Sequence, residues 1–521
     1  METFEIPFVT GSLTFGHYRT GIPNPKSVQE LDIIELSSRI REKSNWSDKI
    51  NDPIIVEKWR YELADCYNGS IEVAAVDGTW QSDALIDRTL HDEFVSRVSV
   101  LENVSDNMKD WHPCSNNQVL HLVHPSLFSF VAGRTKVISK PQLRNSRHAL
   151  LQFASDKELL LPDEATKFAL QPTQNQPNYR KSKTFQWLPS EFLVDESGAV
   201  QISYINNLHP EYHEELYECI EKIFAKFVPM FNKVLTDLTK PAKNRIKVSY
   251  YNNFNSDTDT VSMLTDDDYM GEFGCYLGRN ESPRMSYPII IPEFEPPPFP
   301  KKVVNLNGRN LQVIVELANI HLTPDEPEFL ETSGGSWHIE GTANERIVAS
   351  GIYYYSSSNI TKSRLNFRQP FHGLDWEQHD FADDSYKLLH SQYLGSIITK
   401  EGRCIAFPNS LEHQIAPFKL EDSTRNGHRK ILAFFLVDPT VKILSTSQVP
   451  PQQQSWFKDE IHKESSSLPV EIVHKIIDLM DWPMTLEEAK KHRDDLMNER
   501  RLFVDTSNEI YFDRPVYLCE H

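Results

Sequence analysis

Two apolar runs decide the fold class: Arg346-Ile-Val-Ala-Ser-Gly-Ile-Tyr-Tyr-Tyr355 and Gly427-His-Arg-Lys-Ile-Leu-Ala-Phe-Phe-Leu-Val437. Both are short, rich in β-branched and aromatic residues and bounded by turn-forming residues, which is typical of buried strands. Leu311–Ile320 and Ser396–Phe407 have the same character. The sequence therefore predicts a β sandwich or barrel over residues 300–445.

Helical periodicity lies on both sides of this β-rich segment. Apolar residues recur at three- and four-residue spacing in Val28–Lys43, Ala84–Leu101, His213–Leu238, Val470–Met480 and Leu486–Arg501. A proline-rich elbow at 292–300 precedes the predicted strands. The predicted organisation is a mostly helical region at 1–172, flanking helix and strands at 184–299, the β core at 300–445 and a helical tail at 446–521.

Composition and charge exclude several classes of function. The 521 residues are 39% hydrophobic, enough for a sizeable core, and carry 54 basic against 74 acidic side chains, a net charge of −20. Such a surface repels phosphate backbones, so we expect no nucleic-acid partner. No apolar stretch is long enough to span a membrane and no signal peptide is evident, so we expect a cytoplasmic protein, with the nucleus left open.

A histidine and a carboxylate stand two residues apart in Ser336-Trp-His-Ile-Glu340. In an extended chain, His338 and Glu340 point to the same side, so both can reach one metal ion. His413 lies between two predicted strands further along the chain. Two imidazoles and one carboxylate on one face of an ion form the facial triad of non-haem Fe(II) oxygenases, with the opposite positions open.

Arg429 begins the strand that follows His413. A buried guanidinium needs a carboxylate partner, and 2-oxoglutarate as co-substrate can supply one through its distal carboxylate. The alternative is a structural ion pair of Arg429 with Asp422 or Asp438. The metal ligands also leave zinc hydrolysis open, since His₂Glu suits a zinc site.

Longer strings around these residues resemble a largely fungal family known as domain of unknown function 4246, and through it the Fe(II)/2-oxoglutarate-dependent dioxygenases. The strings are Trp337-His-Ile-Glu-Gly-Thr-Ala-Asn-Glu345, Phe407-Pro-Asn409, Gly427-His-Arg-Lys-Ile431, Leu436-Val-Asp-Pro439, Trp80-Gln-Ser-Asp83, Asp110-Trp-His-Pro113, Ser203-Tyr-Ile-Asn-Asn-Leu-His-Pro210 and Val449-Pro-Pro-Gln-Gln453. The resemblance implies an α+β chain with a double-stranded β-helix core (a jelly roll, cupin-like), a large N-terminal helical region and C-terminal helices.

The resemblance also implies the chemistry. His338, Glu340 and His413 are expected to hold Fe(II), and 2-oxoglutarate and O₂ to be consumed with release of succinate and CO₂. The outcome expected for the organic substrate is hydroxylation, desaturation or ring formation, on a small molecule rather than a protein. Glutamate in place of the commoner aspartate is similar to the histone-demethylase type, in which a lysine anchors 2-oxoglutarate, so Lys362 rivals Arg429 as the cofactor-binding residue.

Other candidates carry weaker signals. Tyr353, Tyr354 and Tyr355 end a predicted strand, where one or two can face the barrel mouth, and Arg364 and Arg368 can meet an anionic substrate. His121 and His124, with His112 nearby, suggest a second metal site at helical spacing, but no acidic ligand stands at a suitable position in the sequence. An alternative of another class is a non-catalytic β-barrel scaffold with a vestigial metal site.

Overall fold

The computed structural model describes Lys49 and residues 71–74, 76, 78–113, 115–138, 159–160, 181–239, 302–330, 335–370, 391–464, 469–478 and 483–513. The predicted helix at 28–43 and the proline-rich elbow at 292–300 lie outside these residues.

Helices lie before and after the main strands of the described chain. They are α1 (Arg88–Glu102), α2 (Glu214–Asp237), α3 (Gln454–Glu464), α4 (Val470–Asp478) and α5 (Leu486–Ser507), with a 3₁₀ turn at Asp106–Met108 and a π-helical turn at Asn508–Phe512. Asp87 caps α1 by accepting a hydrogen bond from the Leu90 amide, so this helix begins four residues later than the predicted start at Ala84. None of the helices in this part of the chain is both long and apolar enough to cross a bilayer.

The strands are numbered in chain order. They are β1 (Glu72–Val73), β2 (Trp80–Ser82), β3 (Asp110–Trp111), β4 (Val119–Val123), β5 (Phe130–Val131), β6 (Val137–Ile138), β7 (Leu159–Leu160), β8 (Phe185–Gln186), β9 (Ser190–Val194), β10 (Val200–Ile202), β11 (Arg309–Leu322), β12 (Glu328–Phe329), β13 (Ile347–Ser358), β14 (Ser363–Pro370), β15 (Ser391–Thr399), β16 (Cys404–Pro408), β17 (Glu412–Ile415), β18 (Phe418–Lys419) and β19 (Gly427–Val437).

Antiparallel pairing organises these strands into one large and one small sheet, with three short strand pairs. The large sheet has ten strands in the order β1-β2-β16-β13-β19-β11-β4-β3, with β9 pairing both β11 and β10. The small sheet has the order β15-β14-β17. The long central strands alternate their side chains between two faces, because successive residues of a strand point to opposite sides.

One face of the large sheet packs on α2. Phe224 and Phe227 of this helix contact Phe434 of β19 edge to face, with ring centroids 5.1 and 5.4 Å apart. Gly351 of β13 allows this close approach, since a Cβ atom there would lie 2.8 Å from Cζ of Phe231. The outer face of the sheet therefore buries an apolar stripe of α2.

The opposite face of the large sheet packs on the small sheet. Ile352, Ala433 and Phe435 of the large sheet share an apolar cluster with Leu365 and Phe367 of β14. We call the space between the two sheets the interior.

The structure confirms the mixed class with antiparallel strands and helices that follow the β-rich segment. It corrects two expectations. The run at 396–407 forms parts of two strands, β15 and β16, because the chain turns at Gly402 in a left-handed conformation (φ 82°). Residues 71–138 are not mostly helical: they hold α1 and the short strands β1–β6, of which β1–β4 join the large sheet.

Candidate metal centre

A two-residue antiparallel bridge joins His338 to His413 of β17. The His338 amide donates to the His413 carbonyl at 3.0 Å, and the His413 amide donates to the His338 carbonyl at 2.9 Å. Because directly opposed residues in such a pair carry their side chains on the same face, the backbone itself places the two imidazoles side by side. Their ring centroids are 4.4 Å apart.

Glu340 completes the group. Its Oε1 lies 3.2 Å from Nε2 of His413 and 3.7 Å from Nε2 of His338. Ligand atoms about 2.1 Å from one ion and at right angles to one another are about 3 Å apart, so these separations suit three ligands on one face of a metal. The ligand atoms of all three residues lie within 4.8 Å of one another.

Hydrogen bonds to neighbouring groups fix the orientation of His338 and Glu340. Nδ1 of His338 lies 2.7 Å from the Ser336 carbonyl, which accepts a hydrogen bond from it and leaves Nε2 facing Glu340. Buried Asn409 holds the backbone of Glu340: its Oδ1 accepts from the Glu340 amide, and its Nδ2 donates to the Glu340 and Ile347 carbonyls, each at 3.0–3.1 Å. Such supporting contacts fix ligand orientation.

Charge is balanced within the group. Burial disfavours the charged form of His338, but the hydrogen bond and the charge of Glu340 outweigh it and raise the pKa of His338 to about 9. Burial by itself would raise the pKa of the Glu340 carboxyl. Hydrogen bonds from both histidines outweigh burial and hold this pKa well below the usual range. The buried carboxylate is thus matched to positive charge, and a cation entering here displaces the proton of His338.

Arg429 of β19 points into the interior. It is one of the largest fully buried side chains in the described chain, 2% exposed, and its guanidinium lies between the rings of Tyr354 and Phe418 at 5.5 and 5.2 Å. One nitrogen donates to Ser363 Oγ at 2.6 Å, while Nε is buried without a hydrogen-bond partner among the described residues. Burial lowers the pKa of Arg429.

The carboxylates that could have neutralised Arg429 are engaged elsewhere. Asp422 accepts from Arg425 at 2.8 Å, and Asp438 accepts from Thr440 at 2.6 Å. In the part of the chain that the structure describes, no carboxylate forms an ion pair with Arg429. A buried cation without an anionic partner is costly, so the surroundings of Arg429 favour an anion.

Arg429 and His413 both contact β14, the central strand of the small sheet. Ser363, which accepts from Arg429, and Phe367, which pairs with His413, lie on the same face of β14. Four strand residues span about 13 Å, so the contacts of Arg429 and His413 with β14 are about 13 Å apart along this strand. Lys362, the rival anchor, is exposed and immediately precedes Ser363, the first residue of β14.

The weaker substrate candidates lie away from the interior. The Tyr353 hydroxyl is 2.8 Å from Nδ1 of His91, and the Tyr355 hydroxyl donates to Asn319 at 2.9 Å, both on the face that packs on α1 and α2. The expectation that these two tyrosines face the opening of the β core is therefore corrected, because strand alternation gives the inward position to Tyr354.

The two arginines of β14 also point outward. Arg364 donates to Ser396 at 3.0 Å. Arg368 forms ion pairs with Glu412 and Asp513 and stacks on Trp337 with 4.7 Å from its guanidinium carbon to the ring centroid. These partners give Arg368 a structural role at the C-terminal π-helical turn, in place of the predicted contact with substrate.

Sequence reasoning missed a second group of ligand-type residues. Glu316 of β11 lies next to His121, which is within β4, and His124, which directly follows β4, so the expectation that no acid accompanies these histidines at helical spacing is corrected. Burial raises the pKa of Glu316 to about 8, and the charge of Glu340 adds to this, since both carboxyls face the same interior. The available signal was a glutamate inside the apolar run Val313-Ile-Val-Glu-Leu317.

Comparison with known proteins identifies the family. Residues 54–460 match the family described as "Protein of unknown function (DUF4246)", and residues 6–62 match "Domain of unknown function DUF4246, N-terminal". The chain belongs to this family, as its motifs predicted. No curated protein matches it.

Three solved structures resemble the chain distantly. The Fe(II)/(alpha)ketoglutarate-dependent dioxygenase TqaL is 10% identical over 69% of this chain and 95% of that chain, with a TM-score of 0.24. IDO from Bacillus thuringiensis is 10% identical over 25% and 47%, with a TM-score of 0.18. A bsmA homologue from Methylobium petroleophilum PM1 is 8% identical over 25% and 42%, with a TM-score of 0.15. The chain spans less than half of the latter two proteins, and TM-scores this low carry no argument about chemistry.

Proposed function

We propose that this protein is an Fe(II)- and 2-oxoglutarate-dependent oxygenase, with a jelly-roll core formed by the two facing sheets. One observation carries the proposal: a His/Glu/His group and a buried arginine without a carboxylate partner among the described residues face the same interior. The proposed metal ligands alone also suit zinc, but hydrolysis gives a buried arginine that faces the same interior no role.

The donor set fits a ferrous ion. His338, Glu340 and His413 supply two imidazoles and one carboxylate, a combination that leaves positions free for a co-substrate and O₂. When bound, iron supplies the activation of O₂ that splits 2-oxoglutarate into succinate and CO₂ and oxidises the organic substrate. The protein contributes position, charge and shielding from water.

The chain's own residues divide this work. Arg429 holds the distal carboxylate of 2-oxoglutarate through its planar fork, and the rings of Tyr354 and Phe418 exclude water from that contact. Asn409 orients Glu340 through the backbone. Hydroxylation of a small organic molecule is the proposed outcome, with desaturation or ring formation as variants of the same oxidation.

The test measures 2-oxoglutarate binding and turnover in the full-length chain. Protein loaded anaerobically with Fe(II) is titrated with 2-oxoglutarate by calorimetry, and succinate is then measured after O₂ is admitted. Wild type is expected to bind 2-oxoglutarate and release succinate, whereas His413→Ala and Glu340→Gln lose both because a metal ligand is missing. His428→Ala is the matched control, since this histidine pairs with Ser356 at 2.9 Å outside the group.

Three other outcomes contradict the proposal in different ways. Protein that binds neither iron nor 2-oxoglutarate corresponds to the scaffold with a vestigial site. Protein that binds the metal but consumes no 2-oxoglutarate, and hydrolyses ester or amide substrates with Zn(II), corresponds to the hydrolase. Succinate release that persists in Glu340→Gln removes Glu340 from the metal site.

A further inference from the structure

A second cluster of ligand-type side chains lies in the interior, apart from the triad. Nδ1 of His121 is 3.6 Å from Oε1 of Glu316, and the ring centroids of His121 and His124 are 3.9 Å apart. Ligand atoms of the three residues lie within 4.8 Å of one another. Two ligands about 2 Å from an ion at tetrahedral angles are about 3.3 Å apart, so the cluster needs only a small contraction to close on a metal.

A β-bulge creates this arrangement. In a regular strand, residues three positions apart point to opposite faces, which would separate His121 from His124. Here Ala318 of β11 pairs with His121 whereas Leu317 pairs with Val123, so one extra residue is inserted in β4. The bulge shifts the alternation and returns His124 to the face of His121. Glu316 lies two residues from Ala318 and shares that face.

The two histidines of the cluster are buried, and three of their four ring nitrogens make no hydrogen bond in the described part of the chain. His121 and His124 are each 7% exposed, and both ring nitrogens of His121 and Nδ1 of His124 make no hydrogen bond there. A neutral imidazole has one N–H donor and one lone pair, and buried groups of this kind are normally satisfied. A single cation can bind a lone pair from each of His121, His124 and Glu316 at the same time.

The Arg493 side chain does not supply that cation. It pairs with Asp110 and with Asp494 at 3.3 Å. His112, whose ring centroid lies 5.3 Å from that of His121, directs Nδ1 to the Pro113 carbonyl at 2.6 Å. Neither Arg493 nor His112 therefore hydrogen-bonds to the unpartnered nitrogens of His121 and His124. These nitrogens can bind a ligand that enters from the interior.

We propose that His121, His124 and Glu316 bind a second divalent transition-metal ion, of the class that accepts imidazole and carboxylate ligands, such as Zn(II). The ion joins β4 to β11 and neutralises a carboxylate inside the sheet pair. This inference does not depend on the proposed oxygenase function, because none of its ligands belongs to the triad.

The test counts Zn(II) equivalents in the full-length chain after treatment with a chelator. By equilibrium dialysis, wild type is expected to take up two equivalents and His413→Ala one, held by the second cluster. The double variant His413→Ala/His124→Ala is expected to take up none. Its affinity for Zn(II) should be at least about a hundredfold weaker than that of His413→Ala, because loss of a metal ligand costs more than loss of a contact that only supports one. His413→Ala/His321→Ala is the matched control and keeps one, because His321 packs on Trp111 at 5.9 Å, away from Glu316.

Thermal unfolding separates ligation from folding. Zn(II) is expected to raise the unfolding midpoint of His413→Ala but not that of His413→Ala/Glu316→Gln. Glutamine has nearly the shape of glutamate, so the metal-free midpoints of these two variants must agree. An equivalent that survives both His124→Ala and Glu316→Gln overturns the proposal, as does a His413→Ala protein that binds no metal. A further outcome separates the two proposals. If wild type binds one equivalent, and Glu316→Gln loses it while His413→Ala retains it, the second site is supported and the proposed function is contradicted, because the triad then binds no metal.

Discussion

His338 and His413 hydrogen-bond to each other through both backbone amides, at 3.0 and 2.9 Å, although 75 residues separate them in the chain (413 − 338). The relative position of the two imidazoles is thus set by main-chain pairing and not by the metal they are proposed to bind. A preformed face of this kind keeps its geometry in the metal-free protein, as rigid elements hold functional sites more closely than mobile loops do.

Arg429 is the predicted anchor for 2-oxoglutarate. Arg429→Ala is expected to raise the 2-oxoglutarate concentration required for half-maximal succinate release by about a hundredfold or more, because the distal carboxylate loses its buried partner. Arg429→Lys should recover only part of this, since an ammonium cannot form two parallel hydrogen bonds. Lys362→Ala is the control and should leave the requirement unchanged. The reverse pattern would transfer the role to Lys362.

Asn409 is predicted to support the metal ligand Glu340. Asn409→Ala should weaken metal binding by about 10–100-fold, because the Glu340 backbone loses both of its contacts to this side chain. Calorimetric titration with Ni(II) measures the effect. The control Asn366→Ala removes an amide that donates to Gln414 at 3.3 Å on β14, and should bind the metal as wild type does. Equal affinities in the two variants would assign Asn409 to folding alone.

Gly351 is predicted to be required for the packing of α2 on β13. A Cβ atom there would lie 2.8 Å from Phe231 and 2.9 Å from Phe227, so Gly351→Ala should lower the free energy of unfolding by about 1–3 kcal/mol through overpacking. Denaturant unfolding measures the loss. Ser350→Ala, on the opposite face, is the control and should cost nothing, because its buried hydroxyl makes no hydrogen bond in the described chain. A fully stable Gly351→Ala protein would show that α2 can move.

Arg500 of α5 and the fully buried Glu345 form the ion pair predicted to hold the C-terminal helix to the core. Their closest atoms are 2.6 Å apart, and Arg500 stacks on Trp187 at 3.7 Å. Arg500→Gln should cost about 3–5 kcal/mol of unfolding free energy, because it leaves a buried carboxylate without its cation. The matched control is Arg134→Gln, which breaks the half-exposed pair with Glu488 on the same helix and should cost at most about 1 kcal/mol. Similar losses in the two variants would contradict the argument from burial.

Much of the fold could be predicted from periodicity. The apolar stripe of α2 and the β-branched runs of β11, β13 and β19 depend on local spacing, which a single chain displays without any knowledge of its neighbours. Local spacing failed in the described N-terminal part, where β1–β4 are strands of two to five residues. Strands so short carry too few alternations to be recognised, and pairing with longer strands defines them.

The His/Glu/His group was predictable for a similar reason. His338 and Glu340 stand at the two-residue spacing of an extended chain, and His413 lies in a motif with its own resemblance to the family. The sequence also determined that a cation, Arg429, would stand in an apolar strand, where burial creates the need for an anionic partner.

Only the tertiary structure decided which way these side chains point. Both faces of β19 are buried, one under α2 and the other under the small sheet. The alternation of polar and apolar residues along the strand therefore could not show that Arg429 faces the interior. The same holds for His124, whose direction depends on the bulge in β4, and for Glu316, which reaches it from β11. Register and bulges arise from pairing between strands that are distant in the sequence. The interactions that select them involve two strands at once, so they cannot be deduced from either strand alone.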